Sequence, residues 1–198
     1  MATKSYNSVV VDILCEFLEI SVHNILYVRK IYPESIFVPK RKYGVVIHKS
    51  QHPLLNDYIA ECMKAVHFHA NANQLKRLFI CIKTASKQLE KFVFDIVKLK
   101  SIIESDLLYV KLEQDFRAFS LKLGTSHIYL NPLPADVEFS IQIHTTEYSA
   151  IAYNDKPLCD DFPWISLPKF GTELKEIIPV HTVDCDHLLV QIYIEKET

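Results

Sequence analysis

Apolar residues recur at helical spacing from Val9 to Ile31 and predict one long helix. Its polar positions, Asp12, Glu16, Glu19 and His23, form a narrow stripe. The rest of the girth is apolar: Val10, Ile13, Leu14, Phe17, Leu18, Ile25 and Leu26. A helix this apolar has to be covered on several sides, which puts it at the centre of the domain. Pro33 predicts its end, because proline pushes the preceding Tyr32 out of the helical region. A basic loop, Pro39-Lys40-Arg41-Lys42, and a short strand, Tyr43 to His48, are expected next. A second helix follows Pro53, with Leu55, Ile59, Cys62 and Val66 on one face.

The period then switches to two. Leu78 to Lys83 and Lys91 to Val97 read as strands around the polar turn Thr84 to Gln88, with Phe92, Phe94 and Ile96 facing one way. A third helix opens at Ser105-Asp106, a predicted N-cap, runs through Leu108, Leu112, Phe116, Phe119 and Leu123, and stops at Gly124 as a C-cap. Val137 to His144 alternates cleanly as a strand. After Thr145 prolines recur at Pro157, Pro163, Pro168 and Pro179. Periodicity fades there until a last strand, His187 to Ile194. This tail is too apolar for a disordered linker and is expected to wrap the domain and add one strand. The sum is an α+β domain of three helices on a mostly antiparallel sheet.

The chain has 198 residues, 49% hydrophobic and 23% charged, which suits one globular domain. The formal net charge of −2 draws the molecule toward neither nucleic acid nor an anionic membrane. The only glycines are Gly44, Gly124 and Gly171, so no phosphate-cradling loop and no G-x-S-x-G nucleophile elbow exists. Five cysteines with no C-x-x-C point to a reducing compartment, nucleus or cytosol.

Cys62, His67, His69 and Cys81 lack zinc-ligand spacing, and the acidic pairs Asp160-Asp161 and Asp184/Asp186 read as solvated loops. No enzymatic centre, metal or cofactor is expected. Trp164, the single tryptophan, fits either a core or a binding groove. In the last strand Leu188, Val190, Ile192 and Ile194 share one face, while Leu189, Gln191 and Tyr193 share the other. The second face reads either as a contact patch or as the wet side of an amphipathic strand.

Several segments carry a family resemblance. They are Val11 to Glu19, Ile25-Leu26-Tyr27-Val28-Arg29, Ile31-Tyr32-Pro33, His52-Pro53 with Asn56 to Ile59, and Glu90 to Phe94. Arg117-Ala118-Phe119, Asp161-Phe162-Pro163-Trp164-Ile165 and Gln191-Ile192-Tyr193 complete the set. Together they resemble HORMA-domain proteins, and among them the accessory subunits of the translesion DNA polymerase zeta, relatives of the mitotic-arrest-deficient checkpoint proteins. Ala65 and the stretch Tyr148 to Asp160 depart from that pattern.

The resemblance implies a single HORMA domain, with a core over about 8–145 and a "safety belt" over about 146–198 that closes on a partner peptide. It implies open and closed belt states. The implied clients are a proline-containing segment of the polymerase zeta catalytic subunit and the C-terminal domain of the deoxycytidyl transferase that scaffolds lesion bypass. By the same resemblance Tyr32, Tyr58 and Trp164 line the peptide channel, and Ile177, Gln191 and Tyr193 dock the scaffold polymerase. Arg117 matches an arginine of HORMA–HORMA dimers. A checkpoint or meiotic HORMA protein closing on another client is the implied alternative.

Overall fold

The computed structural model describes residues 7–100, 106–146, 165 and 175–197. The elements in chain order are α1 (Asn7–Val28), β1 (Phe37–Lys42), β2 (Val45–Ser50), α2 (Pro53–Asn71), β3 (Leu75–Lys83), β4 (Gln88–Leu99), α3 (Asp106–Gly124), β5 (Glu138–Thr145), β6 (Lys175–Asp184) and β7 (Leu188–Glu197). Five strands form one sheet in the order β5-β3-β4-β7-β6, every pairing antiparallel, and β1 and β2 make a separate hairpin. The fold is the expected α+β arrangement of three helices and an antiparallel sheet.

α1 is the centre of the core. Phe17 stacks on Phe116 of α3 at 4.0 Å between ring centroids and meets Phe119 and Phe94 edge-on at 5.3 and 6.1 Å. One side chain thereby joins two helices to the sheet. The polar stripe of α1 has partners along its length. Asp12 meets His67 of α2, Glu16 meets Lys42, and Glu19 meets Lys49. Buried His23 accepts from the Ser50 N–H through Nδ1 at 3.4 Å. The hairpin and the end of α2 thus meet the stripe through ion pairs and hydrogen bonds.

Four sequence expectations change. α1 stops at Val28, ahead of Pro33. Lys30 takes the left-handed conformation (φ 54°), Ile31 N–H donates to the Leu26 carbonyl and Lys30 N–H to that of Tyr27. This pair of bonds ends a helix without a proline. Pro39 to Lys42 is strand β1, not a loop, because Tyr43 and Gly44 at φ 52° and 70° close a tight hairpin turn onto β2. Gly124 does not cap α3 in the left-handed form; the chain tightens into a 3₁₀ turn over Ser126–Ile128. The predicted N-cap Ser105 lies outside the described residues. Finally, the tail contributes two strands, β6 and β7. β6 escaped the sequence reading because a bulge between Pro179 and His181 breaks its period of two.

The inner face of β7 is as expected: Leu188, Val190, Ile192 and Ile194 are all buried. A pairing absent from the sequence reading is Arg29 with Glu90. The guanidinium donates through Nε and Nη2 to both carboxylate oxygens at 2.9 and 2.7 Å, and Nη2 also donates to the Asn131 carbonyl at 2.6 Å. Both residues are buried. The pair ties the end of α1 to β4 and to the loop that leads into β5.

Candidate functional site

Two surfaces stand at opposite edges of the sheet. The first is a trough of about 530 Å³ beside β5, walled by Tyr32 and Pro33 after α1, by His52, Leu54 and Tyr58 at the start of α2, and by Phe139 of β5. Pro53 at the first helical turn starts α2 here, so its opening residues point into the trough. Phe139 meets the Tyr32 ring edge-on at 6.0 Å and the Tyr58 ring at 5.6 Å. Leu54 is 74% exposed at the rim, a large apolar group left to solvent.

β5 pairs with β3 alone among the described strands, so its other side is a sheet edge. Tyr58 reaches that edge: its hydroxyl accepts from the Ile141 N–H at 3.1 Å. Burial, followed by Cys62, pushes the Tyr58 pKa up to about 12, and burial raises that of Tyr32. Both phenols are therefore neutral donors at physiological pH. The trough has aromatic walls, no fixed charge among the lining residues named, and a ladder of main-chain groups alongside. Such a site suits an extended segment with proline or aliphatic side chains.

The structure places Tyr32 and Tyr58 in the walls of one trough. Trp164 lies outside the described residues; its neighbour Ile165 is 82% exposed. Phe139, Leu54 and His52 were missed as lining residues. Phe139 reads from sequence as one more inward residue of an alternating strand, and only the position of β5 at an edge turns it into a wall.

The second surface is near the β6 edge, on the face of β7 opposite to that of Leu188, Val190, Ile192 and Ile194. Pro179 lies opposite Tyr193, Thr182 opposite Gln191, and Ile177 opposite Glu195, two pairs along from Tyr193 and so on the same face. Ile177 is 62% exposed and Gln191 is exposed. Tyr193 is half-buried, and burial raises its pKa. The three predicted docking residues thus share one face. Arg117 belongs to neither surface. It is exposed on α3, with its guanidinium over the hairpin turn, 3.6 Å from where a side chain on Gly44 would begin.

The nitrogen and sulfur groups weighed for metal are dispersed. His67 contacts Asp12 and Asn71, His69 and Cys62 are buried in α2, and Cys81 is buried in β3. Among the described residues no group of three or more His, Cys, Asp or Glu is placed to hold a metal ion.

Comparison with known proteins gives this geometry a family. The chain is 35% identical over 196 residues to the mitotic spindle assembly checkpoint protein MAD2B of Homo sapiens, covering 97% of this chain and 93% of that protein. It is 33% identical over 210 residues to the DNA polymerase zeta processivity subunit of Schizosaccharomyces pombe, covering 95% and 93%. Its fold matches a chain of the crystal structure of the mitotic checkpoint complex with a TM-score of 0.81 at 17% identity, covering 96% of this chain and 99% of that one. It also matches C. elegans HTP-2 bound to the HTP-3 closure motif 1, with a TM-score of 0.72 at 12% identity and coverage of 94% and 85%. A family model for the HORMA domain matches residues 10–115, more than half of the sequence, and the chain belongs to the HORMA domain family.

Proposed function

We propose that this protein is a non-catalytic adaptor that traps a proline-containing segment of the polymerase zeta catalytic subunit beside β5. At the other edge it docks the C-terminal domain of the deoxycytidyl transferase scaffold polymerase on Ile177, Gln191 and Tyr193. The observation that carries this reading is the aromatic trough of Tyr32, Tyr58 and Phe139 lying against the side of β5 that no described strand pairs with. A client strand gains general affinity from main-chain bonds to β5 and selectivity from proline and aliphatic groups in the trough. The names of relatives favour the same branch: one is a polymerase zeta processivity subunit, and the fold neighbour HTP-2 is bound to a closure motif.

The tail has the length this role needs. β5 ends at the corner of the sheet where Thr145 pairs with Leu75, and β6 begins at the opposite corner, where Lys175 pairs with Glu197. The sheet is about 19 Å wide at ~4.8 Å per strand, and its diagonal is about 35 Å. Residues 147–174, roughly 28 of them, reach up to ~95 Å when extended, well beyond that diagonal. In our reading the surplus closes over the client and Trp164 covers it, so that release is slow. Joining an extender polymerase to the scaffold in this way serves lesion bypass in the nucleus, with a cytoplasmic pool as well.

The test is binding of a fluorescent proline-containing peptide from the catalytic subunit of the same organism, with Trp164→Ala and Tyr58→Ala beside the wild type. Tight binding with slow release, weakened at least about 100-fold in each variant, is expected. Unchanged affinity in both variants means the client sits elsewhere. Wild-type protein that ignores this peptide and instead takes up checkpoint clients moves the chain to the checkpoint reading, which the MAD2B name favours.

A further inference from the structure

A bulge in β6 reverses the faces its side chains occupy. Before it, Ile177 and Pro179 lie opposite Glu195 and Tyr193, on the outer face. After it, His181 and Val183 lie opposite Ile192 and Val190, on the helix side. Val180 is the extra residue. Pro179 favours irregularity here because it has no N–H for a regular ladder. Were the first half of the strand to slip by one residue into regular pairing, Ile177 would turn toward the helices and leave the docking face.

α3 holds this bulge in place. Lys122 Nζ donates to the Val180 carbonyl at 2.9 Å and lies 3.5 Å from His181 Nδ1. His181 Nε2 is 3.3 Å from Asp115 Oδ1. Asp115 and Lys122 are two turns apart on one face of α3. Burial, then Lys122, lowers the His181 pKa, so the ring is neutral at pH 7. Its Nδ1 accepts from Lys122 while its Nε2–H donates to Asp115. A cavity of about 470 Å³ beside the bulge has Lys122, Pro179, Gln191 and Tyr193 among its walls. The α3 contacts and the docking patch therefore meet at one place.

We propose that Asp115 and Lys122 are positioning residues for the docking patch, fixing the β6 bulge that sets Ile177 and Pro179 beside Tyr193 on the outer face. This rests on the reading of that face as a docking surface.

The test uses the full chain as wild type, Lys122→Met, Lys122→Arg and Asp115→Ala. The Ile177 methyl and Tyr193 ring signals are followed by NMR, and affinity is measured for the scaffold polymerase C-terminal domain and for the client peptide. Lys122→Met and Asp115→Ala are expected to move both signals in the free protein and to weaken docking about 5- to 10-fold, a part of the worth of one charge-assisted bond. Client-peptide binding stays unchanged, and Lys122→Arg restores the wild-type signals and docking. Signals in Lys122→Met that coincide with wild type overturn the proposal. So does a docking loss confined to Lys122 with Asp115→Ala unaffected, since Lys122 would then touch the partner directly. A wild type that fails to bind the scaffold domain while the signals shift as expected overturns the docking reading, and leaves α3 as the holder of the bulge alone.

Discussion

The two edges of the five-stranded sheet are finished in opposite ways. β6 carries a proline, a bulge and an ion pair between Glu176 and Lys196. Those are the devices by which a protein keeps an edge from pairing with other chains. β5 keeps a regular register along its contact with Arg77 to Lys83 of β3, and an apolar trough lies beside it. The one outward donor seen to be occupied is the Ile141 N–H, covered by a side-chain hydroxyl, not by another strand. An edge that is blunted offers side chains, and an edge left regular offers its backbone. The same sheet can thus present a side-chain patch at one end and a strand template at the other, about 19 Å apart by strand spacing.

The largest effect is expected where the template edge is anchored. Glu90 and Arg29 join the end of α1, the middle of the sheet and the loop before β5, and Glu90→Ala strands a buried guanidinium. Loss of one partner of a buried pair costs about 3–5 kcal/mol. Urea unfolding checks this, and a loss below about 1 kcal/mol would mean that the guanidinium finds other acceptors.

Acid should attack a place that bears on neither edge. Burial, then Lys49, lowers the His23 pKa to about 4, against 6.5 for the free side chain, with Glu19 partly offsetting. Between those values the unfolded chain binds the proton and the folded one does not. Stability is therefore complete above about pH 6.5 and falls as pH drops toward 4, by on the order of 3 kcal/mol. Unfolding curves at pH 7 and pH 4.5 test it, with a flatter pH dependence expected in His23→Gln. If acid instead abolished one binding activity in protein that remained folded, the titrating group would lie at that edge.

Much of this contrast was legible in the sequence, though unevenly. α1 to α3, β3 to β5 and the two faces of β7 follow from spacing alone, because the apolar residues of each recur at the period of its element. Tyr32 and Tyr58 were assigned by resemblance, and the trough brings them together. β6 was illegible for a physical reason: Ile177, Ile178, Pro179 and Val180 are four consecutive apolar residues whose faces are sorted only by the bulge. β1 was hidden because Pro39 and three basic residues look like a loop. Their charges serve instead an exposed strand of a hairpin whose Lys42 and Lys49 bind the stripe of α1. Phe139 and the Lys122 contact depend on which strands are edges, a property of topology that no local pattern encodes.

The smallest effect addresses the template edge most directly. In the free protein the Tyr58 hydroxyl accepts the Ile141 N–H, and a client strand pairing with β5 needs that same donor. The hydroxyl therefore competes with the client, and binding includes the free energy of giving up one neutral hydrogen bond. Tyr58→Phe keeps the ring against Phe139 and removes the competitor, together with the hydroxyl's hydrogen bond to the Cys62 thiol. The free variant should be destabilised by about 1 kcal/mol, the net worth of such a bond, while client affinity rises by up to about 5-fold. Thermal unfolding and peptide titration of the same preparation read the two halves. Weaker client binding in Tyr58→Phe would mean that the hydroxyl turns to the client itself, and β5 would then act as a side-chain site, as β6 does, and not as a template.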